Sequence, residues 1–128
     1  MRDAPIAVVV DDNQVVAQLL GEVCVEQGYQ AIVFCNAWQA LDELLTTRPD
    51  VIILDIHMPG ITGNDLLRRL GSPPYSLDSI PIAITTGDPN WEIDESCRSL
   101  DVSVFLKPKG IREIGPFLIE VRQRSRVQ

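Results

Sequence analysis

The chain has few cysteines, no long apolar run and little positive charge, and each of these shortages excludes something. The three cysteines, Cys24, Cys35 and Cys97, are an odd number without the paired spacing of a zinc or disulfide framework. Each sits in or beside an apolar run and reads as a buried free thiol. Reduced thiols and the lack of a signal peptide point to the cytoplasm. The longest apolar stretches fall far short of the ~20 residues needed to cross a bilayer. A formal net charge of −7 argues against nucleic-acid binding as the main business of the chain. Only the tail, with Arg122, Arg124 and Arg126, is locally basic, and it reads as a solvated helix end. Internal repeats and low-complexity segments are also lacking.

What remains is one ordinary domain over residues 1–128, with 45% hydrophobic residues to build a core. Four short, β-branched apolar runs stand out: Ile6 to Val10, Val51 to Leu54, Ile80 to Ile84 and Val102 to Leu106. A fifth, Ala31 to Phe34, follows Gly28-Tyr29. The Ile6 and Val51 runs do not alternate, as expected of strands buried on both faces of a parallel sheet. Helical spacing lies between the runs. It is carried by Val16, Leu19, Leu20 and Val23 after the N-cap candidate Asn13, and by Ala37, Ala40, Leu41, Leu44 and Leu45 after Asn36. Leu66, Leu67 and Leu70 follow Thr62-Gly63, and Ile93, Cys97 and Leu100 follow Asp88-Pro89. A last stripe holds Ile111, Ile114, Leu118 and Val121. Pro116 inside it implies a kink or a later helix start. Five strands alternating with five helices give an α/β sandwich around a parallel sheet. Right-handed crossovers favour strand order 2-1-3-4-5, with functional residues at the carboxyl ends of the first and third strands.

Those ends are acidic. Asp11 and Asp12 follow the first strand and Asp55 closes the third, so three carboxylates meet in one crevice. Like charges gathered there call for a cation, and a hard divalent ion such as Mg2+ takes oxygen ligands beside a phosphate. Thr86 and Lys107 end the remaining strands. A hydroxyl donor and a compact cation complete a phosphoryl site.

The runs Val8-Val9-Val10-Asp11-Asp12, Ile53 to Gly60 (ILDIHMPG), Ile84-Thr85-Thr86-Gly87 and Phe105-Leu106-Lys107-Pro108 resemble, in order and spacing, those of response-regulator receiver domains. The resemblance covers nearly the whole chain and implies a flavodoxin-like receiver fold. It implies that Asp55 is the phosphoacceptor, attacking a phosphohistidine. Asp12 would be a direct Mg2+ ligand, Asp11 one acting partly through water, and the backbone carbonyl of His57 a third protein ligand. The His57 imidazole stays free for other work. Lys107 would contact the phosphoryl group across a cis Lys107-Pro108 bond, and Thr86 would move toward it on activation. Gly87 would leave room for a partner. The implied partners are a sensor histidine kinase or phosphotransfer protein and a downstream target or output domain. A homodimer could use the fourth helix, fifth strand and fifth helix. Such a protein is a signalling switch and not a turnover enzyme. The early first strand after Met1 favours a free-standing or N-terminal receiver.

Three positions depart from the family pattern. The aromatic usual three residues before the lysine is Val104 here, with Phe105 beside it, and either could hold the aromatic's place. These neighbours point to opposite faces, so the two alignments predict different switches. Lys109 replaces a common aromatic, and Gly115-Pro116 disturbs the last helix. Three rival readings are weaker. An aspartyl-nucleophile phosphatase of the haloacid-dehalogenase kind wants an aspartate where His57 stands. A flavodoxin relative wants a hydroxyl- and glycine-rich loop after the first strand. A pseudo-receiver would lack an acidic residue or the lysine, and none is missing.

Overall fold

The computed structural model describes residues 4–127, with side chains described up to position 124. Among the described residues there are seven strands and four α-helices. The strands are β1 (Ile6–Val10), β2 (Gln30–Phe34), β3 (Val51–Asp55), β4 (His57–Met58), β5 (Ile61–Thr62), β6 (Ile82–Thr86) and β7 (Val102–Leu106). The helices are α1 (Gln14–Glu26), α2 (Ala37–Glu43), α3 (Gly63–Leu70) and α4 (Ile114–Val127). Five strands form one parallel sheet in the order β2-β1-β3-β6-β7, which is the expected 2-1-3-4-5 once the two-stranded β4-β5 hairpin is set aside. The fold class is the expected one.

Strand alternation divides the core into two layers. Val8, Val10, Ile52, Leu54, Ile82 and Ile84 face α2 and α3. Ala7, Val9, Ile53, Ala83 and Phe105 face α1 and α4. β3 and β6 are buried at every residue, which is why their sequence is apolar without a period of two. Asn13 and Asn36 cap α1 and α2, each accepting two backbone N–H bonds through its side chain, and Thr62 caps α3 by accepting from Asp65. The Ile111 stripe begins before its helix. Residues Lys109–Glu113 form a 3₁₀ turn, and α4 starts at Ile114. Pro116 thus falls in the first helical turn, where its missing N–H is no loss.

The fourth of the five expected helices is absent among the described residues. Ile93, Cys97 and Leu100 lie on an irregular segment whose single regular element is the 3₁₀ turn Glu95–Cys97. A side chain of α3 satisfies two of its backbone groups. Asn64 donates to the Glu92 carbonyl at 3.2 Å and accepts from the Asp94 N–H at 2.7 Å. Arg68 also pairs with Asp94 at 2.7 Å. The dimer face expected from the fourth helix, fifth strand and fifth helix therefore lacks the first of these, and Val104 and Leu106 on β7 stand 51% and 44% exposed.

Two smaller expectations are also corrected. Cys24 and Cys97 are buried free thiols, but Cys35 is exposed. The basic tail is not simply solvated. Arg122 donates to the Gln27 carbonyl at the end of α1 and lies over the Tyr29 ring, and Arg124 approaches Asp101 at 3.7 Å. The side chain of Arg126 lies outside the described residues.

Candidate functional site

The sheet delivers the acidic residues to one end. β1 stops at Val10, and Asp11 continues the ladder by donating its N–H to the Phe34 carbonyl at 3.1 Å. Its carboxylate is fully buried and accepts from the Asn13 N–H at 2.9 Å and from Lys107 Nζ at 3.0 Å. Asp12, one residue on, is exposed. Asp55 ends the neighbouring β3 and is 4% exposed. Its Oδ1 accepts from the His57 N–H at 3.1 Å, and its Oδ2 lies 3.6 Å from Lys107 Nζ. One carboxylate oxygen from each of Asp11, Asp12 and Asp55 lies within 4.8 Å of the others.

Three carboxylates against one lysine leave an excess of two negative charges when all are ionised. The price of that excess shows at Asp55. Burial pushes its carboxyl from 3.8 up to about 6, with the Asp11 charge adding to the rise, while the His57 N–H and Lys107 oppose it. A hard divalent cation among these oxygens would relieve the repulsion, and an all-oxygen donor set fits magnesium.

The polar ends of β6 and β7 close the site. Thr86 is 1% exposed, and its hydroxyl accepts from the Asp88 N–H at 3.0 Å and lies 2.8 Å from His57 Nε2. Lys107 follows β7, its N–H donating to the Thr86 carbonyl at 2.7 Å. The Lys107-Pro108 bond is cis, as expected. The five residues singled out from the sequence therefore converge. The His57-Thr86 bond between side chains was not foreseen, because it joins residues 29 apart in sequence.

Four neighbouring positions complete the surroundings of the site. Phe105 packs edge-on to Phe117 on the α1 and α4 face, ring centroids 5.4 Å apart, away from Thr86. Val104 pairs with Ile84 and shares the face of Thr86, so it holds the place of the usual aromatic. Trp91, just after Asp88-Pro89, is half-buried against the α2 and α3 layer. Gly87 borders open space, where a Cβ would meet nothing within 4 Å.

A parallel five-stranded sheet with an acidic cluster and a lysine at its carboxyl edge defines a class, and comparison with known proteins gives the family. The family model of the response regulator receiver domain matches residues 7–114. The chain belongs to the response regulator receiver domain family. It is 33% identical over 107 residues to sporulation initiation phosphotransferase F of Bacillus subtilis, covering 83% of this chain and 84% of that protein. It is 30% identical over 120 residues to the phosphate regulon transcriptional regulatory protein PhoB of Pseudomonas aeruginosa, covering 91% of this chain and 51% of PhoB. The chain thus spans about half the length of that relative. Among solved structures, response regulator protein TrrA from Thermotoga maritima, in complex with Mg(2+)-BeF, superposes with a TM-score of 0.77 at 26% identity. That match covers 91% of this chain and 98% of TrrA.

Proposed function

We propose that this receiver accepts a phosphoryl group on Asp55 from the phosphohistidine of a sensor histidine kinase or phosphotransfer protein. An Asp55 carboxylate oxygen attacks phosphorus, the phosphorus–nitrogen bond to the imidazole breaks, and an aspartyl phosphate forms. The imidazole leaves with the bonding electron pair and a proton from solvent. Hydrolysis of the aspartyl phosphate later returns Asp55 to the carboxylate and releases inorganic phosphate.

The observation that carries this reading is the clustering of Asp11, Asp12 and Asp55, with Lys107 reaching both Asp11 and Asp55. Asp11, Asp12, Asp55 and the backbone carbonyl of His57 would hold Mg2+. When bound, the ion supplies positive charge to the phosphoryl oxygens and to the crowded carboxylates. Lys107 binds a phosphoryl oxygen as a point charge, and the Thr86 hydroxyl donates to another. The switch acts on a downstream target or output domain, and the chain works in the cytoplasm as a signalling element and not as a turnover enzyme. Among the described residues no helix is long and apolar enough to cross a membrane.

The test is direct. Acetyl phosphate or phosphoramidate with magnesium should add one phosphoryl group to the wild type and none to Asp55→Asn, read by intact mass. Equal labelling of the two proteins refutes the assignment.

A further inference from the structure

His57 is the single histidine of the chain, and its imidazole has no part in the chemistry above. Yet the residue touches both ends of the proposed switch. Its main-chain N–H holds Asp55 Oδ1 at 3.1 Å, while its Nε2 lies 2.8 Å from Thr86 Oγ1. The β4-β5 hairpin fixes its place, with His57 paired to Thr62 across the turn at Pro59-Gly60. Gly60 supplies the φ of +87° that this turn needs.

A threonine hydroxyl has one hydrogen and two lone pairs. The Asp88 N–H occupies one lone pair of Thr86 at 3.0 Å. His57 then takes either the other lone pair or the hydrogen, according to its tautomer. In both cases the hydroxyl is gripped from two sides. It contrasts with its neighbour Thr85, whose buried hydroxyl meets no hydrogen-bond partner.

We propose that His57 is a positioning residue for Thr86, a latch that holds the hydroxyl in its resting place and opens when Thr86 turns toward a phosphoryl group on Asp55. The inference rests on the phosphoacceptor reading above. A ligand shifts a two-state element only by the difference in its interactions with the two states. Whatever Thr86 gains at the phosphoryl group is reduced by the His57 bond it gives up. Removing the imidazole removes that cost and should favour the active arrangement by roughly three- to tenfold, the net effect of one hydrogen bond.

The probe is beryllofluoride with magnesium, and the readout is its dissociation constant by calorimetry. His57→Ala keeps the backbone carbonyl and alters an exposed side chain, so the fold is spared. We expect it to bind beryllofluoride roughly three- to tenfold more tightly than wild type. His57→Gln, whose side-chain amide can reach the hydroxyl, should return the affinity to the wild-type value. In a Thr86→Ala background, His57→Ala should change nothing, because the latch has nothing to hold. Equal or weaker binding by His57→Ala overturns the latch, as does the same gain in the Thr86→Ala background or a glutamine that fails to restore. Wild type that binds no beryllofluoride overturns the phosphoacceptor reading and the latch with it. Wild type that binds normally beside an unresponsive His57→Ala overturns the latch alone.

Discussion

Replacing Asp55 with asparagine should stabilise the metal-free protein at neutral pH and do little at acid pH. The carboxyl is 4% exposed, and burial with a nearby Asp11 raises it from 3.8 to about 6. A raised pKa means that the folded state favours the neutral form. The associated stability is fully present below pH 3.8 and is lost as pH rises through about 6. Asparagine imitates the neutral form at every pH and keeps an oxygen to accept the His57 N–H. The shift is roughly two units, and each unit is worth about 1.4 kcal/mol, so the full difference is about 3 kcal/mol. The gain from Asp55→Asn should stay under about 1 kcal/mol near pH 4 and approach about 3 kcal/mol by pH 7. Urea unfolding of both proteins in a chelator, from acid to neutral pH, measures the gain at each point. Magnesium added at neutral pH should stabilise the wild type and narrow the gap, since the cation is drawn by the charge the variant lacks. A gain independent of pH, or a variant less stable than wild type at pH 7, would refute the electrostatic account of this site.

Asp12→Ala should weaken magnesium binding severalfold or more, with Asp11→Ala acting less through direct ligation. Asp12 is the exposed carboxylate of the cluster, while the Asp11 carboxylate is already engaged by Lys107 and the Asn13 N–H. Magnesium titration followed by calorimetry decides this, and unchanged affinity in Asp12→Ala would place any ion elsewhere. Thr85→Val should raise stability by about 1 kcal/mol, because it replaces a fully buried, unpartnered hydroxyl by a methyl of nearly the same shape. A shift of the urea midpoint to higher concentration is expected, and a lower midpoint would mean that the hydroxyl is satisfied.

The strands were legible because buried parallel strands leave a plain mark, continuous β-branched runs closed by polar residues. The Asn13 cap was legible for a similarly local reason, standing just ahead of apolar residues at helical spacing, and the caps at Asn36 and Thr62 occupy the same place before their stripes. The fourth helix misled because Ile93, Cys97 and Leu100 do fall at helical spacing, whereas the residues between them, among them Asp94, Ser96 and Ser99, have weak helix propensity. What decides the outcome is tertiary: the Asn64 side chain bonds the backbone at Glu92 and Asp94 from roughly 30 residues away. The β4-β5 hairpin left a cue in Pro59-Gly60, but its two-residue strands are too short to show a period. The acidic cluster and Lys107 could be read because each ends a strand. The His57-Thr86 bond could not, since nothing local in either stretch refers to the other.

The two departures at β7 bear on the same question, how a phosphoryl group on Asp55 would be felt elsewhere. Phe105 cannot follow Thr86, because it lies on the opposite face, locked against Phe117. Turning it over would need β7 to slip by one residue, which breaks its register with β6 from Ile82 through Thr86. Val104 is on the right face, but it is branched at Cβ, has few rotamers and is already half exposed. No α-helix covers that face of β7 among the described residues, so little packed apolar surface is available there to be rearranged. On the phosphoacceptor reading, the free-energy difference between the two states must then come from polar groups. These are the Lys107 and Thr86 contacts to the phosphoryl group, set against the bonds that hold Lys107 on Asp11 and Thr86 on His57 and the Asp88 N–H. The Asp88 bond ties Thr86 directly to the start of the irregular 88–101 segment. Movement of Thr86 would therefore pull first on a stretch whose further anchors are Asn64 and Arg68 of α3. On that reading, coupling in this chain would run from strand end to loop through hydrogen bonds, where an aromatic at position 104 would have carried it through packing.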